Sequence, residues 1–477
     1  MMNNAIILAA GKGTRMKTEL PKCAFPLLKK PMVTYIIEAL ESINIDQIIC
    51  VVGHKKEVLQ DILKDRVKYA IQEEQLGTVH AVKCALDFID DNGYTIILPG
   101  DTPLIDKEIL DQLIEVHKSN KNDFTIGTIV LDNPFGFGRI VRDSSNSVLR
   151  IVEEKDASEE ERKIKEINTG LFLVDNKLLK KALLEIKNNN AKGEYYLTDI
   201  VEILSKEAKI GTFTIKDTYK LNGINDLYTL SLVEKQFREA ILKKHMLNGV
   251  NIVNPETVTI GNDVTIEAGT TIYQGSLILG KTSIGRNCVV GPNSEIFNST
   301  LKDGSKLLHS VCYDSTLEEN SSVGPFSHIR MNTVVGQDNR IGNFVEMKNS
   351  VIGPKTNVAH LTYVGDTDCG GGVNFGCGTV TVNYDGKNKY RTTIGDNVFI
   401  GCNSNLIAPV NIGSESFIAA GSTITDSIDE NDFAIARAKQ VTKKGYAKKF
   451  EFKKKYRKWD HIYHFLKKIG GEKLIRK

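Results

Sequence analysis

A ladder of aliphatic residues spaced six apart is the feature of this sequence that most restricts its fold. The first regular run consists of Ile260, Ile266, Ile272, Ile278, Ile284, Val290 and Ile296. The spacing resumes in shifted phase from Val311 to Met347 and from Ile352 to Val364, and it returns between Ile394 and Ile424. A period of six matches neither an α-helix nor a simple amphipathic strand.

The period instead indicates short strands that turn a corner every six residues. Each strand would point one aliphatic side chain into a narrow core, and the glycines that often follow the rungs would let the backbone bend. Three such sides close one coil, and stacked coils bury a continuous core. Residues 255–428 would then form about nine coils of about 18 residues each.

Composition and charge restrict the class of protein. The 477 residues suffice for two or three domains, and 41% hydrophobic with 25% charged residues is typical of a globular protein. No apolar run approaches the length of a membrane span, and the N-terminal segment lacks the basic start of a signal peptide. The eight cysteines have no metal-type spacing. We therefore expect reduced thiols and a cytoplasmic protein.

A strand followed by a glycine-rich loop opens the chain. Residues 5–9 are predicted to form a buried strand, and residues 10–16 form the loop. Such loops bind phosphates because glycine exposes backbone N–H groups and permits close approach. Lys12, Arg15 and Lys22 add three cations that suit a triphosphate. The alternative is a tight turn with only a structural role, since a GxG pair alone is a weak signal.

Further α/β units follow the loop. The pattern predicts helices at 33–42 and 78–89 and strands at 47–52 and 94–98. Asp101 stands just after the last of these strands, where a carboxylate of a doubly wound sheet is well placed to hold a metal ion. The alternative for this residue is a strand-end turn or a helix cap.

Polar residues cluster where the ladder loosens, between about residues 328 and 390. They are Arg330, Lys348, His360, Tyr363, Asn374, Asn383, Tyr384 and Lys389. Each has an ordinary structural explanation, such as a turn sequence or a surface charge. Together they supply a base, cations for a phosphate and donors for an oxyanion, which acyl transfer from a thioester to an amine requires. The alternative is a ladder that serves only as a scaffold.

A set of motifs in the first half of the chain resembles the sugar-1-phosphate nucleotidyltransferases. In order they are LAAGKGTRM at 8–16 with Lys22, QEEQLGT at 72–78, GDTP at 100–103, GFGRI at 136–140, IVEEKDA at 151–157, EINTG at 166–170 and GEYYLTD at 193–199. The set most resembles the uridyltransferase half of the bifunctional N-acetylglucosamine-1-phosphate uridyltransferases/glucosamine-1-phosphate acetyltransferases. The run CAFP at 23–26 departs from the residues usual in that family.

The resemblance implies attack by a sugar phosphate oxygen on the α-phosphorus of UTP, with release of pyrophosphate. Positioning and charge neutralisation would provide the catalysis, because the nucleophile is already ionised. UTP and the UDP-sugar would be bound by Leu8, Ala9, Ala10, Gly11, Arg15, Lys22, Gln72, Gln75, Gly77, Thr78, Gly138, Glu153, Asn168, Thr198 and Asn225. The cofactor implied is Mg²⁺, with Asp101 and Asn225 as its ligands.

Motifs in the second half resemble the acetyltransferase half of the same family. They are NFVEMK at 343–348, HLTY at 360–363, NYDG at 383–386 and IAR at 435–437. The resemblance implies that His360 is the catalytic base and that glucosamine-1-phosphate is bound by Arg330, Lys348, Tyr363, Asn374 and Lys389. Acetyl-CoA would contact Asn383, Tyr384, Cys402, Ala420 and Arg437. Cys402 stands where the family often has serine.

These inferences together predict an α/β Rossmann-like nucleotidyltransferase domain followed by a left-handed parallel β-helix of hexapeptide repeats, the handedness being that of the family. We expect a uridyltransferase domain at 1–225, a connecting helix at 226–250, a β-helix acetyltransferase domain at 251–445 and a tail at 446–477. The family further implies a homotrimer with acetyl sites shared between subunits and a role in peptidoglycan synthesis. The substrates would be UTP, acetyl-CoA and the two sugar phosphates, and we expect no nucleic-acid partner.

The C-terminal tail is strongly basic. Residues 443–477 hold fourteen of the 62 Lys and Arg residues but only three of the 59 Asp and Glu residues. Phe452, Tyr456, Trp459, Tyr463 and Leu466 would share one face of a helix. Such a face packs against the protein itself or makes weak contact with an anionic membrane surface.

Two other functions compete with the bifunctional enzyme. One is a nucleotidyltransferase for another sugar or nucleotide with a purely architectural β-helix, which His360 with Arg330 and Lys348 argues against. The other is a non-catalytic assembly protein that keeps both folds as binding modules, which Arg15 and Lys22 argue against.

Overall fold

The computed structural model describes residues 3–186 and 195–450, and its first half is built on a mostly parallel sheet. In spatial order the strands of this sheet are Ile210–Thr214, Phe124–Val130, Glu166–Asp175, Tyr94–Pro99, Asn4–Leu8, Gln47–Val52 and Lys68–Ile71. Glu166–Asp175 runs antiparallel to both of its neighbours and also pairs with the hairpin Arg139–Arg142 and Val148–Val152. Asn4–Leu8 lies in parallel between two buried strands. The glycine-rich loop therefore leaves the sheet at a carboxyl edge, where α/β proteins bind ligands.

Within the described part of the chain, seven α-helices complete the first half and its exit. They are Met32–Ser42, Lys56–Leu63, Thr78–Cys84, Lys107–Ser119, Asn176–Glu185, Asp199–Leu204 and Leu227–Leu247. The helix predicted at 78–89 is shorter than expected, because the chain tightens into a 3₁₀ turn at Leu86–Phe88 after Cys84. Two apolar clusters cover the two faces of the sheet, as burial on both sides of a parallel sheet requires.

The helix Leu227–Leu247 connects the two halves. Asp226 caps it by accepting a hydrogen bond from the backbone N–H of Thr229. Its buried residues Ile241 and Leu242 pack into the first coils of the second half. A cross-domain ion pair between Lys30 and Asp263 adds to this contact.

The second half is a parallel β-helix with three faces. The first face contains Asn251–Ile252, Thr271–Ile272, Val289–Val290, Lys306–Leu307, Ser322–Val323, Asn374–Phe375, Phe399–Ile400, Phe417–Ile418 and Phe433–Ala434. The second contains Thr259–Ile260, Leu277–Leu279, Glu295–Phe297, Val311–Tyr313, His328–Arg330, Val380–Val382, Asn405–Ile407 and Thr423–Ile424. The third contains Thr265–Ile266, Ser283–Ile284, Thr300–Leu301, Thr316–Leu317, Val334–Val335, Val351–Ile352, Thr367–Cys369, Thr392–Ile394 and Val410–Ile412. Its nine strands correspond to the nine coils expected.

Two long strands bend around the corner that joins the first and second faces. Arg340–Lys348 and Asn357–Gly365 pair in parallel along their whole length, so each contributes to both faces. We call this corner the first edge, and the corner between the second and third faces the second edge. The bend places Asn343 and His360 side by side at the first edge.

The first rung predicted for the second run, Val311, is wrong, whereas the rungs predicted from Leu317 to Met347 are all buried. The buried rung is Cys312, while Val311 is only partly buried, and the preceding rungs are Leu301 and Leu307. Cysteine behaves as a small apolar residue, so a ladder read from aliphatic residues alone misses it. The coil shortens by one residue where the strand Glu295–Phe297 runs directly into a left-handed corner residue.

The ladder is interrupted once by an insertion. After the rung at Thr381 the chain leaves the coil and re-enters it at the strand Thr392–Ile394. An antiparallel bridge between Tyr384 and Lys389 closes the projecting loop. The insertion lies at the second edge and carries three of the residues predicted to bind substrates.

Candidate active sites

A cleft of about 820 Å³ opens at the carboxyl edge of the first-half sheet. It gathers twelve of the residues predicted for UTP, the UDP-sugar and magnesium. These are Leu8, Ala10, Gly11, Lys22, Gln72, Gln75, Gly77, Thr78, Asp101, Glu153, Asn168 and Thr198. The other four lie next to the cleft. Ala9 is buried beneath the loop, and Gly138 packs beside Glu153. Arg15 and Asn225 join the charged end of the cleft.

The charged end of the cleft is a cluster of two cations and two oxygen donors. The ammonium group of Lys22 contacts the Asp101 carboxylate and lies 2.8 Å from Oδ1 of Asn225. Arg15 donates to the same amide oxygen at 2.7 Å. Gly223 packs against both Asp101 and Asn225, which brings these two side chains together although 124 residues separate them. The cluster can therefore receive both phosphate oxygens and a divalent cation.

The oxygen donors of this cluster fit the magnesium ion that the resemblance implies. A carboxylate and an amide oxygen are hard ligands of the kind Mg²⁺ accepts, with phosphate oxygens and water filling its other positions. Among the described residues, no group of three or more His, Cys, Asp or Glu side chains could hold a metal ion. A metal bound here would therefore depend on the nucleotide for part of its coordination.

The opposite end of the cleft is shaped by Gly77. Its φ is +113°, and a Cβ at this position would lie 2.6 Å from the carbonyl oxygen of Tyr195, so only glycine fits. Gln72 donates to the carbonyl of Gly77 at 3.2 Å, and Thr78 accepts from the backbone N–H of Leu197 at 2.8 Å. The motif QEEQLGT at 72–78 and the segment that begins at residue 195 therefore form one wall of the cleft.

Glu153 and Thr198 form the side of the cleft predicted to hold the amino sugar. The Thr198 hydroxyl donates to the Glu153 carboxylate at 3.2 Å, and Gly138 leaves room beside that carboxylate. Asn168 lies on the neighbouring strand and accepts from the backbone N–H of Gly170 at 3.0 Å. Burial, and next the nearby carboxylate of Glu153, raises the pKa of Asp199 to about 6.

The second half places the predicted base at the first edge. Nδ1 of His360 lies 2.9 Å from Oδ1 of Asn343 on the preceding coil. An amide oxygen can only accept a hydrogen bond, so Nδ1 carries a proton, and in the neutral imidazole Nε2 then has the free lone pair. The side chain of His360 is exposed, which leaves Nε2 accessible to a substrate amine.

Three cations converge toward the second edge. Arg330 and Lys348 are cross-strand partners on the second face, and Lys389 reaches Lys348 from the insertion. The proximity of Lys389, then partial desolvation, lowers the pKa of Lys348. Arg330 is held by the carboxylate of Glu346, with Nε at 2.9 Å. Crowded cations of this kind form a site for a phosphate.

Tyr363 and Asn383 complete this group, whereas Asn374 does not join it. The Tyr363 ring leans over Gly365, where a Cβ would lie 2.4 Å from the phenol oxygen. Asn383 is buried at the base of the insertion, and Tyr384 is exposed above it. Asn374 lies on the first face, paired with Asn357 and Phe399.

The residues predicted to bind acetyl-CoA beyond the insertion lie along the first edge. The backbone N–H of Gly421 donates to the carbonyl of Cys402 at 2.8 Å, which stacks the two corners. The Arg437 guanidinium donates to the carbonyl of Ala420 at 2.6 Å. The Cys402 side chain is exposed. Cys402, Ala420 and Arg437 therefore continue the corner that holds His360.

Comparison with known proteins identifies the family. A nucleotidyl transferase model matches residues 4–220, a GMPPB C-terminal domain model matches residues 260–367, and a bacterial transferase hexapeptide model with six repeats matches residues 391–426. The bifunctional protein GlmU of Acholeplasma laidlawii is 54% identical over 449 residues, which cover 94% of this chain and 98% of that protein.

Two further relatives agree. The bifunctional protein GlmU of a Geobacillus species is 48% identical over 94% of this chain and 98% of its own length. That of Thermoanaerobacter pseudethanolicus is 50% identical over 92% of this chain and 96% of its own length. The chain belongs to the bifunctional GlmU family. The predicted fold class, an α/β nucleotidyltransferase followed by a left-handed β-helix, is confirmed.

Membership of the GlmU family also confirms the predicted activities. The chain is a bifunctional enzyme, a uridyltransferase and an acetyltransferase, that makes UDP-N-acetylglucosamine. Both halves of a GlmU protein are present in one chain, so the two competing functions considered from sequence are excluded.

Several residues of these GlmU clefts were missed by reasoning from sequence. Phe135, on a loop over the mouth of the uridyltransferase cleft, is 76% exposed and lines that cleft. The carboxylate of Glu154 anchors this loop by accepting from the backbone N–H of Gly136 at 3.0 Å, and the buried Arg139 holds Glu154 at 2.6 Å. Asn343 and Glu346 hold predicted site residues through contacts that only the fold reveals.

Cys23, in the run CAFP that departs from the family, lies beneath the charged end of the cleft. It packs against Gly100 and is buried, and burial, with Asp101 next, raises the pKa of its thiol to about 12. The thiol is therefore neutral and acts as an apolar support for the loop that holds Lys22.

Proposed function

We propose that the first-half cleft binds UTP with the nucleobase toward Gln72, Gln75 and Gly77 and the phosphates toward Arg15 and Lys22. A ligand placed this way spans the cleft from one end to the other. The amino sugar would lie against Glu153 and Thr198. Its phosphate would then point at the charged end of the cleft. The sugar phosphate oxygen attacks the α-phosphorus, and the cations neutralise the charge on the departing pyrophosphate.

Asp101 and Asn225 would hold Mg²⁺ in this site. When bound, the ion would neutralise charge on the phosphates and orient them. The residues present support this assignment because both donors are oxygen and both already lie beside Lys22. Chelation by EDTA should stop pyrophosphate formation. It should leave acetyl transfer unchanged, because the proposed acetyl transfer uses no metal ion.

We propose that the second half transfers the acetyl group with His360 as general base. Nε2 takes a proton from the amine of glucosamine-1-phosphate, and the amine attacks the thioester carbonyl. The C–S bond then breaks, and CoA leaves as a thiolate that takes up a proton. The phosphate would rest against Arg330, Lys348 and Lys389. The hydrogen bond from Nδ1 of His360 to Asn343 is the observation that carries this assignment.

The two activities can be tested separately in one assay. Glucosamine-1-phosphate, acetyl-CoA, UTP and Mg²⁺ are supplied together, and CoA thiol and pyrophosphate are followed independently. His360→Ala should abolish thiol release yet leave pyrophosphate formation from supplied N-acetylglucosamine-1-phosphate. Thiol release that persists in this variant would remove His360 from the mechanism.

We further propose that the protein is a homotrimer whose acetyl sites combine edges of neighbouring subunits. His360, Cys402 and Ala420 lie at the first edge, whereas Asn383 and Lys389 lie at the second. The second face between these edges is about five residues wide, or about 16 Å. Glucosamine-1-phosphate is too short to span this width, so one subunit cannot hold its amine and its phosphate in these two places.

An exposed apolar strip at the first edge supports this assembly. Phe326 and Phe344 stack with their ring centroids 5.6 Å apart, and Leu361 follows on the next coil. All three side chains are more than half exposed. Association would bury them next to His360. Sedimentation of the full chain should give three times the mass of one chain, and a monomer with full acetyltransferase activity would overturn the proposal.

We propose that the enzyme works in the cytoplasm and supplies cell-wall peptidoglycan synthesis. Among the described residues, no helix is long and apolar enough to cross a membrane. The aromatic helix predicted at 452–466 lies outside the described residues. Weak membrane contact through it remains a proposal based on its basic and aromatic composition. Deleting residues 447–477 should reduce co-sedimentation with anionic liposomes, and unchanged co-sedimentation would remove the proposal.

A further inference from the structure

Asp366 is a buried carboxylate that the acetyl-transfer reaction outlined above does not use. It is 7% exposed and lies at the second edge, between the strands Asn357–Gly365 and Thr367–Cys369. Its φ is +49°, a left-handed conformation that a non-glycine residue rarely adopts. A buried charge is costly unless it is paired and hydrogen-bonded, so its partners matter.

Both carboxylate oxygens of Asp366 hold asparagine side chains. Asn349 donates its amide to Oδ1 at 2.5 Å, and Asn383 donates its amide to Oδ2 at 2.5 Å. The backbone N–H of Asp366 donates to the carbonyl of Lys348 at 3.0 Å. Asp366 therefore ties the coil that carries Lys348 to the insertion that carries Asn383.

The carboxylate also lies within a group of cations. Lys348 and Lys389 repel each other, and Asp366 opposes the effect of Lys389 on the Lys348 ammonium. Arg391, whose main partner is Asp368, also feels the Asp366 charge. Asp366 thus offsets part of the repulsion that Lys389 exerts on Lys348, where a phosphate is expected.

We infer that Asp366 is a positioning residue for acetyl transfer, which orients the Asn383 amide and stabilises the crowded Lys348 and Lys389 pair. This inference rests on the proposed acetyl-transfer function of the second half. A purely structural role would be to close the corner at the second edge. The two roles differ because positioning affects turnover through Asn383, whereas corner closure affects folding alone.

The first test replaces Asp366 by asparagine and compares it with Asp368→Asn. Asp368 is two residues away and pairs with the exposed Arg391, so it is matched in charge and location. Asp366→Asn should lower kcat for thiol release about 10-fold or more, and it should raise KM for glucosamine-1-phosphate through the lysine pair and KM for acetyl-CoA through Asn383. Asp368→Asn should leave all three within about twofold, and pyrophosphate formation should be unchanged in both.

The second test is a double-mutant cycle with Asn383→Ala. If Asp366 acts through Asn383, the double variant should lose little more activity than either single variant. Losses that multiply independently, or an Asp366→Asn effect no larger than that of Asp368→Asn, would overturn the inference. No thiol release from the unaltered protein would instead overturn the proposed function.

A variant that fails to fold does not end the test. Asn349→Ala removes only one anchor of the carboxylate and leaves its charge and its contact with Asn383. Loosening Asp366 this way should lower kcat for thiol release about 5-fold with the thermal unfolding temperature nearly unchanged. Full kcat in Asn349→Ala would overturn the inference when Asp366→Asn cannot be purified.

Discussion

Asn343 accepts a hydrogen bond from Nδ1 of His360 across 2.9 Å, and the two residues occupy equivalent positions on successive coils. The contact exists because both long strands bend at the same corner. It turns the imidazole outward with a defined tautomer, which is what a general base needs before the substrate arrives. The β-helix therefore supplies the orientation of the base as well as its location.

Replacing Asn343 by leucine should impair acetyl transfer without disturbing the fold. The leucine has a similar volume but cannot accept a hydrogen bond, so the imidazole can rotate or adopt the other tautomer. We expect kcat for thiol release to fall about 10- to 100-fold, which is less than the full contribution of a general base because His360 itself remains. Asn343→Asp keeps an acceptor and should retain most of the activity. Equal losses in both variants would contradict this explanation.

Replacing Lys22 by methionine should impair only uridylyl transfer. The ammonium group contacts both Asp101 and Asn225, so its loss leaves the Asp101 carboxylate without its cation and removes charge from the phosphate site. We expect kcat for pyrophosphate formation to fall about 100- to 1000-fold, as for loss of one preorganised transition-state contact. The control is Lys107→Met, whose lysine pairs only with Asp111 on its own helix. Its activity should be unchanged.

Phe135 should contribute to substrate binding and not to turnover. Its exposed ring lines the cleft on a loop whose backbone is anchored by Glu154. A bound sugar nucleotide would cover the ring and bury apolar area worth about 1 kcal/mol. Phe135→Ala should therefore raise KM for N-acetylglucosamine-1-phosphate about 3- to 10-fold with kcat within about twofold. Tyr228→Ala, at a similarly exposed aromatic on the connecting helix, should change neither value.

Asp199 should make the first half less stable at neutral pH than an asparagine would. Its pKa rises from 3.8 to about 6, mainly through burial. A raised pKa in the fold means that the protonated group favours folding at low pH, and this contribution disappears as pH rises through about 6. Asp199→Asn should therefore stabilise the protein at pH 7.5 by about 1 kcal/mol, a value reduced because the side chain is only partly buried.

The pH dependence of this gain provides its check. Thermal unfolding of Asp199→Asn and of the unaltered chain should differ at pH 7.5 and converge at a pH well below 3.8, where Asp199 is protonated in both the folded and the unfolded state. A gain that persists unchanged at that low pH would show that the carboxylate charge is not its cause.

The β-helix was the most predictable part of the fold. Each coil buries one side chain per face, so an apolar residue recurs at almost every rung of the sequence. The failures are local and have physical causes. A ladder of aliphatic residues selects Val311 instead of Cys312 because it leaves out cysteine, and it misses the rungs Cys369 and Phe375 because neither residue is aliphatic.

The sites were predictable where a motif carried them and not where the fold created a contact. Lys22, Asp101 and Asn225 come from three distant segments, and the sequence indicated each of them through its own motif. Asn349 and Asp366 carry no such signal, because an asparagine and an aspartate at coil corners read as ordinary turn residues. Only the stacking of coils shows that the Asn349 amide holds the Asp366 carboxylate and that these two residues support Asn383.

The separation of the two edges across the second face has a genetic consequence. A chain with His360→Ala has a damaged first edge and an intact second edge, and a chain with Lys389→Ala has the reverse. If the proposed trimer with shared sites forms, co-expression of these two inactive chains should restore acetyl transfer, because a mixed trimer would pair an intact edge from each. Random assembly would give about one intact site in four. Two alleles that are inactive alone would then complement each other in one cell.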